Sequence, residues 1–126
     1  MFTYKNTLSS FSSNDLQKAK EFYRDKLDVN VTETEMGILE LRFTGGAHGI
    51  IYPKPNHEPA TFTVLNFLVA HIDEAVDALL AKGITFEHYE QMGADEKGIV
   101  RGNGHGPDIA WFKDPAGNIL SVLKPV

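Results

Sequence analysis

Two similar segments, one in each half of the sequence, restrict the fold more than any other feature. Residues 7–27 and 63–83 each begin with a strand-like stretch and continue with apolar residues at helical spacing. Further strand signals follow each predicted helix, so each half is typical of a β-α-β-β-β module. Prolines interrupt residues 53–59 and cannot belong to a central strand. The sequence therefore predicts an α+β fold in which module one spans about residues 1–55 and module two about residues 60–126.

Several residues mark where the predicted elements begin and end. Asp15, with Ser13 and Asn14 before it, can cap the first helix, and Gly83 suits the left-handed residue after the second helix. Short alternating strands are expected at Val29 with Val31 and at Ile84 with Phe86. The sequence also predicts a turn at 113–118 and a long glycine-rich loop at 93–107, and loops of that length inside a small domain are often functional.

Composition excludes several classes of function. The chain has 126 residues, with 12 basic and 17 acidic side chains and a net charge of −5. A net negative chain without a basic block is a poor candidate for binding nucleic acid or an anionic membrane. The chain has no cysteine, which excludes disulfides, thiolate metal sites and a cysteine nucleophile. We expect no signal peptide, no membrane span and a cytoplasmic location.

Two motifs, together with the repeat, carry a resemblance to a known family. The first helix contains the pair Phe22-Tyr23, and the turn at 113–118 joins two predicted strands through Asp114-Pro115-Ala116-Gly117. With the repeat, these features resemble the vicinal oxygen chelate superfamily, which includes glyoxalase I, bleomycin-resistance proteins and extradiol dioxygenases. The resemblance implies one glyoxalase-like domain over residues 1–126. In it, the two modules form a curved mixed sheet around a cleft, with the helices outside, and it also implies a homodimer.

The resemblance implies metal ligands that this sequence lacks. Metal-dependent members hold a divalent ion through His, Glu or Gln side chains of the first and last strands of each module. In this sequence those positions fall on Leu8, Val64, Ser121 and the stretch 50–52, none of which is His, Glu or Asp. We therefore expect neither a metal nor a cofactor at the family's usual place.

Strand alternation predicts which side chains face the cleft and which form the core. The predicted core residues are Phe11, Leu65, Phe67, Val69, Phe112, Leu120 and Val122. The cleft wall is then a mixture of apolar and neutral polar groups that suits an organic ligand. Trp111 is the strongest candidate because an indole offers a flat stacking surface and one N–H donor. The predicted ligand-binding residues are Ser10, Tyr52, Asn66, Arg101, Trp111 and Ser121.

These observations leave three hypotheses for the function. The first is a metal-free protein of the glyoxalase/bleomycin-resistance type that binds a small organic molecule. The second is a divalent-metal-dependent lyase, isomerase or dioxygenase with non-standard ligands. The third is a dimeric accessory module without a ligand. No catalytic residue can be assigned, since no serine of the run at 9–13 has a base that the sequence identifies.

Overall fold

Seven strands and two main helices make up the computed structural model, which describes all residues from 1 to 126. The chain separates into two units, Met1–Glu58 and Pro59–Val126. The first unit contains β1 (Ser9–Ser13), α1 (Leu16–Glu21), β2 (Asn30–Glu33), β3 (Leu39–Arg42) and β4 (His48–Pro53). The second contains β5 (Thr63–Leu68), α2 (Ile72–Ala81), β6 (Asp108–Lys113) and β7 (Ile119–Lys124). Neither helix has the length and apolar character that crossing a bilayer requires.

The first unit is a four-stranded sheet with strand order β1-β4-β3-β2, in which only the β1–β4 pair is parallel. Leu39, Leu41 and Ile51 point to one face of this sheet and are fully buried, as is Tyr23. The opposite face carries Ser10, Ser12, Ile50 and Tyr52 on neighbouring strands, since successive side chains alternate between faces.

Asp15 begins the first helix as the sequence predicts. Its side chain accepts a hydrogen bond of 3.0 Å from the backbone N–H of Lys18, which would otherwise have no partner in the first turn. After α1 the helix widens into a π-helical turn, Phe22–Lys26, in which Leu27 N–H bonds to Phe22 O. This turn buries Phe22 and Tyr23 together with their edge-to-face contact at 5.3 Å.

The second unit is a three-stranded sheet with order β5-β7-β6, in which β5 and β7 are parallel. Phe112, Leu120 and Val122 are buried, which confirms three of the predicted core residues. Phe11, Leu65, Phe67 and Val69 are only half-buried. Gly83 follows α2 with φ of +87°, as predicted for the residue that ends that helix.

The α+β class is confirmed, but the strands differ from the prediction in two respects. The hydrogen-bonded strands form two mixed sheets, one in each unit, rather than one continuous sheet, and the proline-rich stretch 53–59 separates them in the sequence. The strand predicted at Ile84 and Phe86 is reduced to a single bridge between Phe86 and Phe112. The reason is that after Glu87 the chain leaves the sheet edge for a short 3₁₀ turn, Glu90–Met92.

Candidate ligand-binding site

Trp111 lies in the middle of β6 and is half-buried. Its indole Nε1–H donates a hydrogen bond of 3.0 Å to the hydroxyl of Thr63 on β5. The ring of Tyr89 meets the indole edge to face, with 5.3 Å between the ring centroids and 69° between the planes. The indole is therefore held in one orientation by a polar contact at its N–H and an aromatic contact at its ring.

A pocket of about 260 Å³ opens beside this indole within the second unit. Its wall combines rings, a thioether and an aliphatic side chain with two threonines and one amide. The lining residues are Thr61, Phe62, Thr63, Tyr89, Gln91, Met92, Trp111 and Ile119. None of them is charged, so the pocket offers stacking surface and neutral hydrogen-bonding groups rather than an ion-binding shell.

Two predicted site residues, Asn66 and Ser121, lie next to Trp111 across the sheet. Ser121 is the register partner of Asn66 in the parallel β5–β7 pair and of Trp111 in the antiparallel β6–β7 pair. Its side chain is fully buried, and its hydroxyl donates to Asn66 Oδ1. Asn66 itself is exposed and lies on the face of the sheet that carries the indole. The structure thus brings three of the six predicted residues together.

Arg101, the fourth predicted residue of this unit, is held by two carboxylates. Its guanidinium makes a bidentate pair with Asp73 of α2, at 2.8 and 3.0 Å, and a third bond of 3.1 Å to Asp95. These bonds raise the pKa of Arg101, with Asp73 as the largest cause. Its donors are therefore directed to protein carboxylates.

Asp95 makes several hydrogen bonds within the segment that runs from the pocket residue Tyr89 to Arg101. Its side chain accepts bonds of 2.9 Å from the backbone N–H groups of Lys97 and Ile99, in addition to Arg101. Burial acts to raise the pKa of Asp95, but these backbone bonds and the guanidinium outweigh it, so the pKa is lowered. The segment from Tyr89 to Arg101 is thereby fastened to α2 through Asp73.

The remaining predicted residues, Ser10 and Tyr52, lie in the first unit. Both are exposed, on β1 and β4 respectively, and strand register places them on the face opposite the buried Ile51. On the same face, the hydroxyl of Ser12 contacts the imidazole of His57 at 2.6 Å. The sequence did not reveal this pair because 45 residues separate its members.

Sequence reasoning also missed most of the pocket wall. Tyr89, Gln91 and Met92 belong to a short turn with no periodic pattern, and Phe62 lies just before β5. A partly buried indole N–H needs a hydrogen-bond acceptor, and this requirement is the one signal that could have predicted a polar partner such as Thr63.

The positions where the family's metal ligands are expected carry no such groups. Ser121, at the position where the resemblance implies a carboxylate, directs its hydroxyl to Asn66. Leu8 is exposed and Val64 is aliphatic. Within either unit, His, Asp and Glu side chains do not gather in a group of three that could hold a metal ion.

Comparison with solved structures shows the same fold in several proteins. The antibiotic-binding protein TnmS3 from Streptomyces sp. CB03234 is 20% identical, with a TM-score of 0.70 over 99% of this chain and 100% of that one. The fosfomycin resistance protein FosX from Listeria monocytogenes is 13% identical, with a TM-score of 0.74 over 99% and 96%. A protein from Bacillus anthracis assigned to the glyoxalase family is 18% identical, with a TM-score of 0.74 over the whole of both chains. At these identities the likeness establishes the fold alone.

The sequence comparisons give the family. No curated protein matches the chain in sequence. The sequence profile of the Glyoxalase/Bleomycin resistance protein/Dioxygenase superfamily matches residues 9–122, which includes every strand and helix described above except the last two residues of β7. The protein therefore belongs to the Glyoxalase/Bleomycin resistance protein/Dioxygenase superfamily.

Proposed function

We propose that this protein binds a small, uncharged, ring-containing organic molecule in the Trp111 pocket and does so without a metal ion. The observation that carries the proposal is the pocket itself, in which Trp111, Tyr89 and Phe62 surround uncharged polar groups. Its volume of about 260 Å³ is slightly below the ~300–1,000 Å³ that is usual for small-molecule sites. One ring system of a ligand fits there, and the rest of a larger molecule extends beyond it.

The side chains that line the pocket explain how they would stabilise such a ligand. Ring faces stack on the indole, and Met92 supplies a soft, adaptable contact on the exposed side. Gln91 and Thr61 can each hydrogen-bond to a neutral oxygen or nitrogen atom of the ligand. A carboxylate or phosphate finds no cation among these side chains, and Arg101 is already paired with Asp73 and Asp95.

The metal-free part of the proposal is supported by Ser121. At the position where a metalloenzyme of this family carries a carboxylate, the hydroxyl of Ser121 is buried and bonded to Asn66. A neutral hydroxyl that donates to an amide oxygen is a weak ligand for a divalent ion, compared with a carboxylate. Antibiotic binding by TnmS3 and fosfomycin resistance by FosX are properties of those proteins, and they make a small-molecule ligand a reasonable expectation here.

The other predicted residues keep roles within the same proposal. Asn66 directs its amide towards a ligand and Ser121 fixes the orientation of that amide. Ser10 and Tyr52, both exposed, are proposed as polar contacts for a ligand on the sheet face of the first unit alone. Arg101 acts indirectly, because it holds the segment that carries Tyr89 and Met92.

The proposal includes a homodimer in the cytoplasm. Phe62 and Leu68 are large apolar residues that are 68% and 70% exposed, and contact with a second copy would remove them from water. A chain without cysteine folds without disulfides, so a reducing compartment suits it. Sedimentation velocity tests the oligomeric state: a single species of twice the chain mass supports the dimer, and a monomer contradicts it.

Fluorescence titration tests the binding proposal directly, because Trp111 is the only tryptophan in the chain. The protein is treated with EDTA and titrated with a panel of uncharged polycyclic aromatic antibiotics. We expect saturable quenching of the indole emission by at least one aromatic compound. We also expect the same affinity when Zn²⁺, Mn²⁺ or Ni²⁺ replaces the chelator.

Two matched variants distinguish the pocket from general apolar adsorption. Phe62 and Leu68 are equally exposed, but only Phe62 lines the pocket. Phe62→Ala is expected to weaken binding by about tenfold, which corresponds to ~1.4 kcal/mol. Leu68→Ala is expected to leave binding unchanged. Quenching that appears only after a divalent metal is added would favour the metal-dependent alternative.

A further inference from the structure

Ser12 and His57 form a hydrogen-bonded pair in the first unit that the ligand pocket does not use. The Oγ atom of Ser12 lies 2.6 Å from Nδ1 of His57. Ser12 is 9% exposed, whereas His57 is half-buried, so the hydroxyl is shielded and the imidazole is open to solvent on one side. When the proton of the neutral ring is on Nε2, Nδ1 accepts the hydroxyl proton, which is the arrangement of a nucleophile with its base.

Backbone contacts fix the position of His57 over β1. The amide of Lys54 donates a 3.0 Å bond to Ser13 O, so the chain after β4 is tied to the residue that follows Ser12. The amide of His57 then donates a 3.0 Å bond to Lys54 O, which closes a turn. Pro53 and Pro55 have restricted φ angles and stiffen this turn. The imidazole is therefore placed by rigid local structure rather than by a flexible loop.

Two further hydroxyl groups lie beside Ser12 on the same face of the sheet. Tyr52 is the register partner of Ser12 in the parallel β1–β4 pair, and both side chains lie on the face opposite the buried Ile51. Tyr52 is 38% exposed and Ser10, two residues before Ser12, is exposed on the same face. The phenol and the Ser10 hydroxyl thus provide hydrogen-bond donors beside the Ser12 hydroxyl.

We propose that Ser12 is a nucleophile and His57 its general base, in a second site that acts on small uncharged esters. This activity goes beyond the ligand binding proposed above and does not depend on it. Ser12 Oγ forms a bond to the ester carbonyl carbon while its proton moves to Nδ1 of His57. When the tetrahedral intermediate collapses, the carbon–oxygen bond to the alcohol breaks, and the alcohol takes the proton from Nδ1. Water then releases the acid from acyl-Ser12 by the same proton transfers.

Charges on this face favour an uncharged acyl group. Glu40 is the register partner of Ile50 and lies on the same face, and Glu58 follows His57 directly. Arg42, a cation on that face, pairs with Glu40 at 3.8 Å, and Lys54 is the residue that follows β4. These residues comprise two carboxylates and two cations, so the local charge favours neither an anionic nor a cationic acyl group, and neutral esters are the expected substrates.

The absence of cysteine allows a direct test of base activation. Ser12→Cys introduces the only thiol of the chain, and its rate of alkylation by iodoacetamide at pH 7 reports the thiolate fraction. We expect Ser12→Cys to react about tenfold faster than the double variant Ser12→Cys/His57→Gln, as for a thiol whose pKa a neighbouring imidazole lowers. Ser10→Cys on the same face is the matched control, and adding His57→Gln to it should leave its rate unchanged.

The native chain is then tested with p-nitrophenyl acetate, with the adduct mapped by mass spectrometry. We expect acetyl-Ser12 and an initial burst of one equivalent of p-nitrophenolate, followed by slower turnover, in the wild type and in Ser9→Ala, whose exposed side chain lies on the other face of β1. We expect loss of both the adduct and the burst in Ser12→Ala and His57→Gln. Circular dichroism checks that each variant is folded. Equal alkylation rates with and without His57, or the absence of His57-dependent acetylation of Ser12, would overturn the proposal. Either result leaves the Trp111 pocket unaffected.

Discussion

Ser121 lies directly across from Asn66 in the parallel pair of β5 and β7, and its buried hydroxyl donates a bond of 2.5 Å to Asn66 Oδ1. The resemblance to the family places a metal-ligating carboxylate at this position, whereas the Ser121 hydroxyl here donates to a neighbouring amide. The same hydrogen bond therefore bears on two proposals, that the usual metal ligands are lacking and that an oriented amide lies near the Trp111 pocket.

Ser121→Ala removes this hydrogen bond while leaving the exposed Asn66 free to bond with water. We expect a decrease in the free energy of unfolding of about 1 kcal/mol, which is typical for one hydrogen bond. Urea denaturation measures it, with Ser10→Ala as the control because Ser10 is exposed. An equal loss in both variants would show that the Ser121–Asn66 contact does not stabilise the fold.

The Arg101 cluster predicts a pH dependence of stability. The guanidinium hydrogen bond is the main cause that lowers the pKa of Asp73, and the pKa of Asp95 is lowered as well. A carboxyl whose folded pKa lies below its unfolded value of ~3.9 stabilises the fold above that pH and loses this contribution as the pH falls through the folded pKa. We therefore expect stability to fall below about pH 4 in the wild type and to fall less steeply in Arg101→Gln.

Urea denaturation at pH 7 and at pH 3 measures this difference. Arg24→Gln is a suitable control because Arg24 also pairs bidentately with a carboxylate, the exposed Asp25 next to it in sequence. A pH dependence that is the same in wild type and Arg101→Gln would contradict the role given to this cluster.

Asp73 is expected to order the pocket wall as well as to stabilise the fold. Asp73→Asn weakens the bond to Arg101, and through Arg101 and Asp95 it loosens the segment that carries Tyr89 and Met92. Acrylamide should then quench Trp111 more efficiently, because its ring is less shielded. Glu74→Gln changes the exposed next residue of α2 and leaves the pairs of Arg101 and Lys97 in place, so quenching should stay at the wild-type value.

Gly102 and Gly106 lie in the same loop but differ in the space around them, so their substitution should affect stability differently. A Cβ atom at Gly102 would overlap the carbonyl oxygen of Gly106, whereas a Cβ at Gly106 meets nothing within 4 Å. Gly102→Ala must displace backbone and should destabilise the protein by roughly 1–3 kcal/mol. Gly106→Ala should be close to neutral, and thermal denaturation of the two variants provides the comparison. Similar melting temperatures for both would show that the loop adapts readily.

Several local features of the fold could be predicted from the sequence. Asp15, Gly83 and the turn at 113–118 could be predicted because each depends on local backbone chemistry, and the structure has all three. The buried positions of Phe112, Leu120 and Val122 followed from strand alternation. The strand predicted at Ile84 and Phe86 was wrong, because only one bridge forms there. A short apolar pair forms a strand only if a partner strand lies beside it, and the local sequence pattern does not specify that partner.

The site could be predicted only where it lies on regular strands. Alternation placed Asn66, Trp111 and Ser121 on one face, and the strand register of the structure makes them neighbours. Tyr89, Gln91 and Met92 come from an irregular turn, and Arg101 is directed to carboxylates 28 and 6 residues away. Such contacts depend on the path of a loop, which no periodic pattern records.

The most direct test of the Trp111 pocket uses the single indole as a reporter. The chain has one tryptophan, so its indole N–H gives one side-chain resonance in a ¹⁵N–¹H correlation spectrum. A library of uncharged aromatic fragments is added to EDTA-treated protein. We predict that several fragments shift the Trp111 indole signal together with the backbone signals of Thr63, Tyr89 and Met92. If no fragment moves the indole signal, or if it moves only after a divalent metal is supplied, metal-free binding in this pocket is contradicted.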